Sequence, residues 1–202
     1  MPMPSKPSLK QRICAWILRM CGWSVVFRWP SAPKCVVIFY PHTSNWDFVW
    51  GVLTYLSLGW QVRWCAKDTW FRWPVGMLAR ALGGIPVNRR ERTGFVSQLK
   101  REYECAQELY IAITPEGTRS RTDHWKSGFY RLALATGTPV GFAFADYPSK
   151  RIGVDTYVEM SGRENDDLAR FRAYYADKRG YHPELQGEIR FLDLGAGKGD
   201  SP

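Results

Sequence analysis

A chain of 202 residues, 45% hydrophobic and 23% charged, is long enough for one domain with a substantial core and too apolar to be disordered. Twenty-eight Lys and Arg against 19 Asp and Glu give a formal net charge of +9, which attracts anions such as phospholipid headgroups, phosphorylated substrates, coenzyme A or nucleic acid. Five Cys without a Cys-x-x-Cys pair, and three scattered His, form neither a disulfide framework nor a zinc-site spacing, so no metal is expected.

The first predicted element is an amphipathic helix over residues 9–27, with Ile13, Trp16, Ile17, Met20 and Ser24 at helical spacing and Lys10, Arg12 and Arg19 elsewhere on its surface. A basic helix with Trp on its apolar side suits a membrane interface, and also suits docking on its own domain. Residues 1–7 are polar and Pro-rich, and the best apolar stretch, 13–27, is interrupted by Arg19. Neither a signal peptide nor a transmembrane span is therefore expected, and any membrane contact is peripheral, at the cytoplasmic face.

From residue 35 the pattern becomes α/β. Residues 35–40 form a continuous apolar run, as in a strand buried on both faces. A helix over 45–58, an alternating strand over 61–67, a short helix over 74–82 and a short strand over 85–87 follow. Helical spacing returns over 93–107, then a buried-type strand over 109–113, a helix over 128–135 and a strand over 139–145. Residues 152–158 alternate, which suits an edge strand. Ser161-Gly162-Arg163-Glu164 resembles a capping box opening a helix to about residue 178, and residues 188–192 read as a last strand. The expected fold is a single-domain α/β sandwich with a mixed, largely parallel sheet flanked by helices, preceded by the N-terminal helix. Residues 1–30 form the N-terminal segment, 31–194 the catalytic domain and 195–202 a Gly-rich flexible tail.

Three stretches carry chemistry. Pro41-His42-Thr43-Ser44-Asn45-Trp46-Asp47 follows a buried strand and opens a helix, the position where open α/β sheets place their sites. Ser44 or Asn45 can cap that helix, and one turn brings Asp47 back toward His42. A carboxylate on one imidazole nitrogen fixes the tautomer and leaves the other free to take a proton. The second stretch, Gly83-Gly84-Ile85-Pro86-Val87-Asn88-Arg89-Arg90, pairs glycines with two guanidinium groups. The third, Thr114-Pro115-Glu116-Gly117-Thr118-Arg119-Ser120, combines a permissive glycine with donors suited to phosphate oxygens. Taken singly, each also fits a polar surface turn.

Together these stretches resemble the glycerophospholipid acyltransferase family, which includes the 1-acylglycerol-3-phosphate acyltransferases. His42 and Asp47 match its His-x4-Asp block. Gly84, Ile85, Val87 and Arg89 match its second block, Pro115 to Ser120 its third, and Pro139 after Gly137 and Thr138 its fourth. Lys126-Ser127-Gly128 matches the Lys-x-Gly that commonly follows the third block. The blocks keep the family's order across about residues 36–146, while Pro41 and Pro86 stand where the family often has Asn and an aromatic residue.

The resemblance implies O-acyl transfer from an acyl-CoA or acyl-carrier-protein thioester to a phosphorylated lipid acceptor, with no bound cofactor, no metal and no nucleic-acid partner. In it His42 is the base and Asp47 orients it. Arg89 and Arg119 hold the phosphate, and Glu116, Gly117, Thr118 and Lys126 complete the substrate-binding set. Ser44 is then a cap rather than a nucleophile. The same motifs also fit another hydroxyl acceptor, and the basic, Trp-rich surface fits a non-catalytic membrane-binding module. Trp70, Phe71 and Trp73 read as a membrane-facing rim, part of an acyl tunnel, or core packing.

Overall fold

The computed structural model describes residues 6–87 and 94–192. Its centre is a seven-stranded sheet in the order β1-β7-β6-β2-β5-β3-β4. The strands are β1 (Ser24–Phe27), β2 (Lys34–Phe39), β3 (Val62–Lys67), β4 (Gly84–Val87), β5 (Leu109–Ile113), β6 (Val140–Asp146) and β7 (Arg151–Val158). Neighbouring strands run parallel except β6 and β7, which a short turn joins antiparallel. The helices are α1 (Leu9–Met20), α2 (Asn45–Leu58), α3 (Val75–Ala81), α4 (Gly94–Cys105), α5 (Gly128–Thr136) and α6 (Glu164–Tyr175).

Side chains alternate across β2, and each set meets a different layer. Val36 and Ile38 face the larger core, with Leu99 and Tyr103 of α4, Phe129 and Leu132 of α5, and Phe171 and Tyr175 of α6. Cys35 and Val37 face the opposite side, where Tyr55 and Leu58 of α2 lie above Trp60, Tyr110 and Val154. Cover on both faces is why β2 reads as an unbroken apolar run.

Several expected elements are corrected. The first helix stops at Met20 rather than reaching residue 27. Gly22, at φ +82°, turns the chain out of the helix, and the β-branched Val25 and Val26 pair as β1 with β7. β7 is consequently an inner strand, not an edge. The Ser161–Glu164 capping box does not form. The Asp167 carboxylate instead accepts the Ser161 amide and hydroxyl, and α6 begins at Glu164 behind Arg163. Residues 188–192 make only a bridge, Phe191 to Trp125, and lace onto the 122–125 loop instead of joining the sheet.

The docked side of α1 also differs from the simplest reading of its periodicity. Cys14 and Leu18 are buried, and the helix packs on α2. Leu9, Ile13, Trp16 and Met20 stay exposed, Trp16 at 62% and Met20 at 68%. Of the aromatic stretch at 70–73, Phe71 is buried beside Trp64 and Ala79, while Trp73 is exposed. No helix among the described residues is long and apolar enough to cross a membrane.

Candidate active site

Sheet order brings the motif loops together. β5 and β6 flank β2 in parallel register, so the chain leaves all three at one edge: residues 40–44 after β2, 114–120 after β5, and Tyr147 after β6. α2 then starts at Asn45 with Ser44 as its N-cap. The Ser44 hydroxyl accepts the Trp46 amide, and Asp47 reaches back to the Ser44 amide, completing a capping box. One carboxylate thereby serves the helix start and also approaches His42.

Asp47 is 2% exposed. Its Oδ2 accepts the backbone amides of Thr43 at 2.7 Å and Ser44 at 2.8 Å, and lies 3.2 Å from His42 Nδ1. Nδ1 is buried and makes no well-aligned hydrogen bond, so the Asp47 contact is a close approach rather than a formed hydrogen bond. Oδ1 accepts the Tyr147 hydroxyl at 2.7 Å. Burial, then the hydrogen bond to Asp47, pushes the Tyr147 phenol well above its ordinary range, so it stays a neutral donor.

Glu116 is turned inward and 2% exposed. Its Oε2 accepts the His42 amide at 2.7 Å and its Oε1 the Gly187 amide at 2.8 Å. Burial raises its pKa from 4.5 to about 7, against the lowering effect of the two backbone amides. It ties the His42 loop to the Gly187 segment. From the far side the C-terminal segment is tied in by the His182 amide on Thr43 Oγ1 and the Tyr40 hydroxyl on the Gly187 carbonyl. Gly117 sits at φ +65°, and a β-carbon there would lie 2.8 Å from Lys126 Nζ, so the lysine stem crosses directly over the loop. Thr118 is exposed and takes the Ser120 amide, and Arg119 is half-buried at the cleft mouth. Arg89 lies outside the described residues.

From His42 an apolar cleft of about 390 Å³ runs between the sheet and α2. Val37, Phe39, Ala112, Ala143 and Val154 line its floor, and Gly51, Tyr55 and Leu58 follow Asp47 along the inward side of α2. From Asp47 to Leu58 that side is roughly 16 Å long at ~1.5 Å per residue. Trp60 and Phe27 lie past the far end of the helix, their rings 5.0 Å apart. His42, Lys67, Thr118 and Arg119 supply polar groups around the strand ends. The arrangement sets a His–Asp pair at one end of a long apolar cleft. The motifs mark the His42–Asp47 pair and the 114–120 loop; the cleft lining, Tyr147 and the Gly187 strut depend on contacts between segments distant in sequence.

Comparison with known proteins gives the family and the fold. An acyltransferase family model matches residues 28–141. No curated protein matches the chain. Among solved structures, the crystal structure of the 1-acyl-sn-glycerophosphate (LPA) acyltransferase PlsC from Thermotoga maritima is similar, with a TM-score of 0.55 at 17% identity over 83% of this chain and 75% of that one. At that identity the likeness speaks for the fold.

Proposed function

Because this chain belongs to the acyltransferase family, we propose that it moves a fatty acyl group from an acyl-CoA or acyl-carrier-protein thioester to the hydroxyl of a phosphorylated lyso-lipid such as 1-acylglycerol-3-phosphate. The observation that carries the reading is the His42–Asp47 pair opening onto an apolar cleft.

The acyl chain lies along α2 and the thioester carbonyl sits at the mouth. His42 Nε2 takes the proton of the acceptor hydroxyl as its oxygen attacks the carbonyl carbon. The tetrahedral intermediate collapses with cleavage of the C–S bond, and the imidazolium returns the proton to the departing thiolate. Asp47 favours the imidazolium through its charge at 3.2 Å and, with two backbone amides on the same oxygen, keeps its place between turnovers. The Ser44 hydroxyl is engaged in capping α2, so direct transfer needs no acyl-enzyme.

Arg119 at the cleft, with Lys126 against the neighbouring Gly117, takes the acceptor's phosphate, for which guanidinium geometry is well suited. Ile13, Trp16 and Met20 of α1 and Trp46 and Val49 of α2 are exposed apolar side chains on two helices that pack on each other. With a net charge of +9, the chain suits peripheral binding to an anionic bilayer, where the lyso-lipid acceptor resides.

The test compares lysophosphatidate with monoacylglycerol as acceptors, for the wild type and Arg119→Ala. Preference for the phosphorylated acceptor, with its Michaelis constant raised in the variant and that of the donor unchanged, is expected. Equal use of both acceptors would remove the phosphate from the reading.

A further inference from the structure

Tyr147 lies beyond the residues matched by the family model and outside every motif in the sequence. It is the first residue after β6, and β6 is the parallel neighbour of β2, so it emerges beside the His42 loop from 100 residues away. Its hydroxyl donates to Asp47 Oδ1 at 2.7 Å, while Oδ2 faces His42 and the two loop amides. Every contact on Oδ2 fixes the carboxylate from the loop side. Tyr147 holds it from across the sheet edge.

Tyr147 is itself held firmly. Its amide donates to the Arg179 carbonyl at 3.0 Å. Its ring meets Trp23 edge-on at 5.0 Å and Tyr181 at 5.2 Å, and the Lys150 ammonium lies over both the Trp23 and Tyr147 rings. These contacts involve the ring and backbone, so they survive removal of the hydroxyl.

We propose that Tyr147 is a positioning residue of the transfer reaction, its hydroxyl fixing Asp47 Oδ1 and thereby setting how strongly Oδ2 holds the His42 imidazole. This rests on His42 being the base. A donor on Oδ1 draws negative charge away from Oδ2 and locks the carboxylate plane. Without it, Oδ2 carries more charge and, still placed by the two loop amides, holds the imidazolium more tightly. Proton return to the leaving thiolate then slows. Among the described residues, the other charged or titratable groups near the pair are Glu116, through the His42 amide, and Lys67 and Arg119 along the cleft. Around Tyr147 they are Lys150 and Tyr181. Tyr147→Phe alters none of them.

The experiment has two arms on Tyr147→Phe in the full chain. In the kinetic arm, kcat is expected to fall about tenfold, the effect of losing a hydrogen bond to a charged group. Acceptor KM should stay within twofold, and the acidic limb of the kcat/KM profile should move to higher pH. In the spectroscopic arm, the His42 ring resonance, assigned by its loss in His42→Gln, should titrate at higher pH than in the wild type, whether or not any acyl transfer is detected. That arm separates failure of this inference from failure of the acyltransfer reading. In an Asp47→Asn background the Phe substitution should have no further effect on either readout. An unmoved His42 titration, with or without a loss of rate, would overturn the proposal, as would an undiminished Phe effect in the Asn background.

Discussion

Gly51→Leu is expected to shorten the acyl chains this protein accepts without unfolding it. Gly51 lies on α2 one turn beyond Asp47, lines the cleft, and has nothing within 4 Å of a β-carbon built on it. Leucine in a helix interior is favoured over glycine by about 0.8 kcal/mol, so the helix itself should gain. The added side chain enters the cleft roughly 6 Å from Asp47 and cuts off the remaining ~10 Å toward Leu58. Each methylene kept out of an apolar seat forgoes about 0.8 kcal/mol, so four forgo about 3 kcal/mol, or roughly two hundredfold in kcat/KM. The assay is transfer from acyl-CoA thioesters graded from short to long chains, with one acceptor, by wild type and variant. Long chains should lose two orders of magnitude or more while the shortest keep their rate. Equal loss at every length, or unchanged preference for long chains, would show that the acyl group lies elsewhere.

Glu116 gives a pH prediction. Its folded pKa, about 7, lies above its ordinary 4.5, so the native state binds the proton more tightly. The stability this contributes is full below about pH 4.5 and is lost as pH rises through about 7, up to about 3 kcal/mol at ~1.4 kcal/mol per unit. Urea unfolding should therefore show Glu116→Gln gaining on wild type across that window, and a constant difference from pH 4 to 8 would contradict it. For the membrane surface, Ile13→Glu with Trp16→Glu should abolish co-sedimentation with anionic liposomes while preserving the circular dichroism spectrum, since both side chains are exposed. Truncating residues 1–29 would be a poorer test, because Leu18 and Trp23 are buried and β1 belongs to the sheet. Retained liposome binding by the double variant would move the contact elsewhere, with Trp73, Met77 and Leu78 around α3 the next exposed apolar surface.

Local patterns made much of the fold legible in the sequence. The apolar runs of β2, β5 and β6 are strands because both of their faces are covered, and α2 begins where Ser44 and Asp47 can cap it. His42 and Asp47 were readable for the same reason: their meeting spans one helical turn. What depends on distant pairing was hidden. The periodicity of α1 continues smoothly into residues that the sheet claims as β1, because β7 offers them a partner. Which side of α1 docks was equally hidden, since Leu18 and Ile13 are both apolar. The motif groups Glu116 with the substrate-binding residues; that its side chain faces inward depends on the amides that His42 and the distant Gly187 present there. Tyr147 carries no local signal, and only the adjacency of β2 and β6 gives it a role.

The central claim is that His42 is the base of an acyl transfer. Its most direct test is transfer by purified wild type and His42→Ala from labelled acyl-CoA and acyl-carrier protein to lyso-lipid acceptors, with unfolding curves confirming that both are folded. Product from the wild type and none from the variant is the predicted result. Turnover by His42→Ala near that of the wild type would contradict the account.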